Sequence, residues 1–172
     1  MQKGLLLFII PLVLLVSACD YDGVNSRTPL PLETWFPLKV GEKEIQSQIA
    51  IRAGEKERGL MFRETLQEDA GMLFVYKAPE RMTYYMKNTP IPLDIGFFDG
   101  SGTLQEVHRM MPYDLNRTIS NSDQIQFALE MNQGWFSRNQ LYPGTKLDLV
   151  LVAEAISGRG EDPAGYGLSA KY

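Results

Sequence analysis

Six side chains with charged or hydrogen-bonding groups lie beside apolar stretches, where they could contact a polar ligand. They are Arg58, Arg63, Lys87, Asn88, Asp94 and Glu130. Lys87-Asn88-Thr89 falls between two predicted strands, and the prolines that follow at 90 and 92 restrict the residues before them to extended geometry. A rigid loop with an ammonium, an amide and a hydroxyl suits recognition. The alternative is an ordinary turn in which Asn88 and Thr89 cap their own backbone.

The two acidic candidates pose a problem of burial. Asp94 lies within an apolar strand, so its carboxylate must be paired, hydrogen-bonded or protonated, because burying it alone is costly. We therefore predict a polar cluster on one face that is centred on Asp94 and includes Arg58, Arg63, Lys87 and Asn88. Glu130 falls on the polar side of an alternating strand, where a solvated carboxylate is the simplest interpretation.

Two functions are compatible with these residues. The favoured hypothesis is a non-catalytic module that binds a polar ligand, such as a saccharide or a peptide. The aromatic residues Tyr84, Tyr85, Trp135 and Phe136 could stack on a sugar, although packing in the core is the default interpretation. The alternative is a hydrolase of envelope polymers that uses Asp94 and Glu130 as acid and base, which requires carboxyls about 5–10 Å apart. The only histidine, His108, has no nucleophile motif nearby.

The composition excludes several other classes. The 172 residues include 17 basic and 21 acidic side chains, a net charge of −4, which argues against a nucleic-acid binder that needs a concentrated basic face. One histidine and one cysteine cannot form a Cys/His zinc cage. The eight methionines could bind copper(I), but filling of gaps in the core explains most of them. We therefore predict neither a metal nor a cofactor.

The N-terminus has the pattern of an exported lipoprotein. A basic start is followed by an apolar stretch from Gly4 to Val16. This stretch is too short for a transmembrane helix, which needs about 20 apolar residues. Small residues then precede Cys19, as in the lipobox of bacterial lipoproteins. We expect residues 1–18 to be a signal peptide and Cys19 to carry lipid. The protein would then be attached to the membrane of the bacterial cell envelope and face the periplasm or the exterior.

The remaining pattern predicts one β-domain over residues 44–153. Seven or eight short strands without a long amphipathic helix indicate a mainly β fold, either a sandwich or a partly closed barrel, with one or two short helices. One clear strand alternates over residues 125–131, and another is predicted at Lys146 to Val152. Asp99 to Gly102 predicts the turn of a hairpin, and Trp135 to Leu141 is predicted to form a short helix. Residues 19–43 are predicted to be a flexible tether and residues 154–172 a mobile tail.

Three motifs in order resemble a known family. They are residues 57–63 (ERGLMFR), 69–74 (DAGMLF) and 85–95 (YMKNTPIPLDI). Together they are similar to the domain-of-unknown-function 192 family of small secreted or membrane-attached prokaryotic domains. Tyr85 stands where that family usually has tryptophan. The resemblance implies a mainly β, jelly-roll-like domain, and it implies no reaction.

Overall fold

The computed structural model describes residues 28–168, so the predictions for the signal peptide and for Cys19 lie outside the described residues. This part of the chain contains eight strands. They are β1 (Phe36–Val40), β2 (Lys43–Ala50), β3 (Ala70–Glu80), β4 (Thr83–Tyr84), β5 (Leu93–Asp99), β6 (Leu104–Met110), β7 (Thr118–Ile119) and β8 (Ile125–Asn132). The helices are α1 (Ala53–Arg58), α2 (Trp135–Arg138) and α3 (Leu149–Gly158), followed by a 3-10 turn at Pro163–Tyr166. No helix among the described residues has the length and apolar character needed to cross a membrane.

Six of the strands form one mixed sheet in the order β1-β2-β3-β8-β5-β6. Its parallel pair is β2 and β3, which α1 connects, and the other pairs are antiparallel. β5 and β6 form the predicted hairpin, because the Asp99 carboxylate accepts hydrogen bonds from Ser101 and Thr103 in the turn. β4 and β7 pair as a separate small sheet. The predicted mainly β, sandwich-like fold is confirmed, and the large sheet does not close into a barrel.

The large sheet is covered on both faces. One face packs against α2, α3 and the 3-10 turn, and we call it the helical face. The other packs against the small sheet and the segment after α1, and we call it the small-sheet face. In β8, Phe127 and Leu129 belong to the core on the helical face, whereas Ala128 belongs to the core on the small-sheet face. Because β8 lies in the middle of the sheet, its alternation separates two cores rather than a core from solvent.

The elements near both ends differ from the sequence prediction. β1 lies inside the predicted tether and pairs with β2 along its length. The strand predicted at Lys146 to Val152 is present only as isolated β-bridges at Lys146 and Leu147, and α3 begins at Leu149. The Asp148 carboxylate accepts hydrogen bonds from the N–H groups of Val150 and Leu151 and caps this helix. The apolar residues of this segment therefore follow a helical period rather than a strand period.

A buried ion pair attaches the end of α3 to α1. The Arg159 side chain is only 1% exposed, and its guanidinium donates to Glu55 and to the carbonyl oxygen of Leu30. Glu55 also accepts hydrogen bonds from the N–H groups of Ile51 and Arg52, both at 3.0 Å. Burial raises the pKa of Glu55, but the two N–H groups and Arg159 outweigh this effect and hold it at about 2. Residues 155–168 thus belong to the packed domain, since Ala155, Ile156 and Tyr166 are buried there as well.

Candidate functional site

A cleft opens on the small-sheet face beside α1. Its inner part is a cavity of about 220 Å³, with Phe74, Tyr76, Tyr84 and Glu130 among its lining residues. A neighbouring cavity of about 290 Å³ extends to Lys87 and Asn88. Both cavities share Glu57, Arg58, Met61 and Tyr85, so they form one continuous depression, which we call the α1 cleft.

Glu130 is the most unusual group in this cleft. It lies in β8, opposite Ile95 of β5 and Met72 of β3, and it is 6% exposed. None of the described residues makes a hydrogen bond or a salt bridge to its carboxyl group. Burial alone raises its pKa from 4.5 to about 8. The carboxyl is therefore mostly protonated at neutral pH and can donate a hydrogen bond as well as accept one. The prediction that Glu130 is a solvated carboxylate is therefore wrong.

Two tyrosines and a lysine lie close to Glu130. The hydroxyl oxygens of Tyr76 and Tyr84 are 3.2 Å apart, and either can donate to the other. Burial raises the pKa of both phenols, and the nearby Glu130 carboxyl raises them further. The ammonium nitrogen of Lys56 lies 3.7 Å from the centre of the Tyr76 ring. The inner cleft therefore offers neutral hydroxyl and carboxyl groups beside a cation that an aromatic ring already engages.

The rim carries the predicted recognition loop. The Thr89 N–H donates to the carbonyl of Met86 at 3.2 Å, and the Thr89 hydroxyl donates to the carbonyl of Lys87, also at 3.2 Å. The hydroxyl of this loop thus closes its own turn, as the alternative interpretation holds. Lys87 and Asn88 are exposed and line the cleft. Across the cleft, Arg58 on α1 lies 3.8 Å from the Glu33 carboxylate. Four of the predicted site residues (Arg58, Lys87, Asn88 and Glu130) therefore line the α1 cleft.

Arg63 has a different environment. Its guanidinium donates to the Gln48 side-chain oxygen at 2.8 Å, and it lies 5.5 Å from the centre of the Trp35 ring. Arg63 is absent from the lining of both cavities of the cleft. Its contacts attach the chain before β1 to the sheet, so its role here is structural.

The predicted polar cluster around Asp94 is wrong. Asp94 is 4% exposed and pairs in the sheet with Met131 and Arg109, so its side chain points to the helical face. One carboxylate oxygen accepts the Gly134 N–H at 2.7 Å, and the other has no partner. Burial raises the pKa of Asp94, while the Gly134 N–H and the charges of Arg109 and Arg138 act in the opposite direction. Arg58 and Lys87 lie on the other side of the sheet.

The same geometry bears on the acid/base hypothesis. Residues that face each other in neighbouring strands point to the same side of a sheet, and successive residues point to opposite sides. Glu130 is opposite Ile95, and Asp94 is opposite Met131, so the two carboxyl groups lie on opposite faces. They cannot act together on one bond in one cleft. No sequence pattern predicts that Lys56 and Tyr76 line the cleft, because their contact depends on the position of α1 above β3.

Other candidates have local roles. The ring Nε2 of His108 is 2.6 Å from a carboxylate oxygen of Glu106, whose oxygens also accept hydrogen bonds from Asn121. This arrangement links β6 to the segment before β8. Within the described chain, no group of three or more His, Cys, Asp or Glu side chains could hold a metal ion.

The fold and the cleft define a small, mainly β domain with a depression above one face of a mixed sheet. Residues 36–149 match the family of domain of unknown function 192, which is described as "Uncharacterized ACR", and the chain belongs to this family. Comparison with curated protein sequences gives no match.

Two solved structures are similar to this chain. One is a protein of unknown function from Novosphingobium aromaticivorans DSM 12444, with 29% identity and a TM-score of 0.64 over 70% of this chain and 90% of that chain. Another is a protein from Sinorhizobium meliloti 1021 that is proposed to be a transcription regulator, with 28% identity and a TM-score of 0.62 over 66% and 91% of the two chains.

Proposed function

We propose that this protein is a non-catalytic binding module of the bacterial cell envelope that captures a polar ligand in the α1 cleft. The observation that carries the proposal is Glu130, a residue only 6% exposed that lines a cavity of about 220 Å³ and whose carboxyl group makes no hydrogen bond to the described residues. Such a group is costly to keep in a core, and a ligand that hydrogen-bonds to it would remove part of this cost.

The surroundings of Glu130 favour a neutral or mixed-charge ligand. Its carboxyl is protonated at neutral pH and therefore attracts no cation, while the two tyrosine hydroxyls can donate and accept. The rim adds the cations Arg58 and Lys87 together with the Asn88 amide and the Glu57 carboxylate. A saccharide or a peptide complements this combination of neutral, polar and oppositely charged groups better than a highly charged molecule does.

A catalytic role receives less support. The hydrolase hypothesis depended on Asp94 and Glu130, which lie on opposite faces of the sheet. The resemblance to a proposed transcription regulator does not lead us to propose DNA binding, because 21 acidic side chains outnumber 17 basic ones.

Attachment to the membrane through lipid on Cys19 is the second part of the proposal, and the lipobox-like sequence before Cys19 supports it. Two acyl chains are enough for stable anchoring, whereas one is marginal. Replacing Cys19 with alanine should leave the signal peptide uncleaved or release the domain. Membrane fractionation and mass spectrometry of the Cys19→Ala variant test this point, and an unchanged mature mass and membrane fraction would contradict it.

Binding is tested by calorimetric titration of the full-length protein in detergent micelles. The probes are N-acetylglucosamine and N-acetyl-alanyl-alanine amide, at pH 6.5, where Glu130 is protonated. Glu130→Gln keeps the shape and the hydrogen-bonding capacity and should retain binding, whereas Glu130→Leu should abolish it. Asp94→Asn, on the opposite face, is the matched control and should bind like the parent. Failure of both probes, or equal binding by Glu130→Leu, would contradict the proposal.

A further inference from the structure

A third cavity continues the α1 cleft beyond Asn88. It measures about 330 Å³ and is lined by Phe62, Glu64, Asn88, Pro90 and Tyr113, and we call it the aromatic subsite. Asn88 lines both this subsite and the outer part of the α1 cleft. The three cavities are therefore neighbours, and they extend from Glu130 past Asn88 to the subsite lined by Phe62 and Tyr113; we call them together the groove.

The two rings are unusually exposed for aromatic side chains. Phe62 is 71% exposed and Tyr113 is 62% exposed. Each ring borders the subsite with most of its surface free. Exposed aromatic side chains around a concave surface are typical of binding sites rather than of core packing.

Backbone hydrogen bonds hold the two residues that carry these rings in a defined conformation. Phe62, Asn88 and Tyr113 all adopt left-handed conformations, with φ of 63°, 55° and 60°. Such a conformation is uncommon for bulky residues and is kept only where surrounding contacts enforce it. Here the Phe62 N–H donates to the Asn88 carbonyl at 2.7 Å, and the Tyr113 N–H donates to the Thr89 carbonyl at 3.1 Å. The turn that presents Lys87 and Asn88 thus also fixes the backbone at Phe62 and Tyr113.

We propose that the ligand of this groove is a saccharide chain, one unit of which stacks on Phe62 and Tyr113 while another reaches Glu130. This inference rests on the proposed function and names its ligand class. A sugar ring has an apolar C–H face that covers an aromatic ring, and hydroxyl groups that both donate and accept hydrogen bonds. The groove supplies the aromatic rings at one end and the Asn88 amide, the Glu64 carboxylate and the protonated Glu130 at the polar positions.

The arrangement also argues for several linked sugar units. The polar inner cavity and the aromatic subsite are separate cavities that the Lys87 and Asn88 region connects. A single small ligand would occupy one of them, whereas a chain would occupy both. Its affinity should therefore increase with the number of units, because each occupied cavity adds contacts.

The test is calorimetric titration of the full-length protein in detergent micelles with two monosaccharides, N-acetylglucosamine and glucose, and with three neutral tetrasaccharides: the β-1,4-linked N-acetylglucosamine tetramer, cellotetraose and maltotetraose. We expect at least one tetrasaccharide to bind at least tenfold more tightly than its monosaccharide. Phe62→Asn and Tyr113→Asn should each weaken tetrasaccharide binding at least tenfold and so remove the gain in affinity of the tetrasaccharide over its monosaccharide. Asparagine tolerates the left-handed backbone, so these variants remove the ring without adding strain.

Tyr142→Asn is the matched control, because Tyr142 is 60% exposed but lies in the loop beside Asp94, on the helical face. This variant should bind every probe like the parent. If short probes bind in a Glu130-dependent manner but the tetrasaccharides gain nothing from Phe62 and Tyr113, this inference is wrong and the proposed function stands. If none of the saccharides binds, the inference is overturned. If a hexaproline peptide binds instead and the two asparagine variants abolish its binding, the ligand is a peptide and the saccharide assignment is overturned.

Discussion

Replacing Glu130 with glutamine should remove the loss of stability that ionisation of Glu130 causes between pH 4.5 and pH 8. The reason is that burial raises the pKa of Glu130 in the folded state, while the unfolded chain keeps the ordinary value. Below pH 4.5 the group is protonated in both states and has no effect. As the pH rises toward 8, the unfolded chain releases the proton and the folded chain retains it, so the free energy of unfolding falls. Above the folded pKa the full penalty is present.

The size of the effect follows from the two pKa values. They are 4.5 in the ordinary environment and about 8 in the fold, a difference of about 3.5 pH units. At about 1.4 kcal/mol per pH unit, this corresponds to about 5 kcal/mol. Domains of this kind unfold at a cost of only about 5–15 kcal/mol, so the effect is a large fraction of the total. The glutamine variant should therefore be the more stable of the two proteins at pH 8 and nearly equal to the parent at pH 4.

The assay is urea denaturation of both proteins at intervals from pH 4 to pH 9, with the difference between their free energies of unfolding plotted against pH. Subtraction cancels the contributions of all other groups, including Asp94, whose pKa is also raised by burial. Carboxyl carbon chemical shifts of Glu130 provide an independent titration, with an expected midpoint near pH 8. Parallel stability curves for parent and variant, or a Glu130 midpoint near 4.5, would refute this reasoning.

Three further predictions concern the scaffold and the rim. Glu55→Gln should lower the free energy of unfolding by about 3–5 kcal/mol at pH 7, because it leaves Arg159 charged and buried without compensation. The difference from the parent should shrink as the pH falls toward 2, because Glu55 of the parent then becomes protonated. Urea denaturation at several pH values measures this difference. Gly96→Ala should cost about 1–3 kcal/mol, because the added methyl group would lie 2.6 Å from the Phe136 ring, and an unchanged urea midpoint would show that the ring can move aside. Lys87→Ala should change stability by less than about 0.5 kcal/mol, since Lys87 is exposed on the rim, and a thermal melt beside the parent checks this.

Local patterns in the sequence were sufficient for much of the fold. The turn at Asp99 to Gly102 with its flanking strands predicts the β5–β6 hairpin, which the structure contains. The alternation over residues 125–131 correctly predicts β8, and the short helix after Gly134 is present as α2. These features depend on residues close together in the chain, so the sequence alone carries the necessary information.

The start of α3 shows where such patterns are ambiguous. Residues 146–152 alternate in a way that fits a strand, but their apolar character is also compatible with a helix. The Asp148 cap decides in favour of the helix, and capping residues compete with alternation as a signal. The C-terminal segment was likewise predicted to be mobile from its composition, whereas the Arg159 guanidinium contacts Glu55, which precedes it by 104 residues.

The sequence by itself determined which residues the predicted recognition loop exposes, because Lys87 and Asn88 are adjacent in the chain and their turn is closed locally. Only the tertiary structure decided the environment of the two carboxyl groups. Asp94 and Glu130 both lie in apolar strands, but the register of β5 against β8 directs them to opposite faces. The small sheet then covers the face that carries Glu130. Register and coverage depend on contacts between distant segments, which no local pattern encodes, and they turn an apparently solvated glutamate into the buried, protonated group of the cleft.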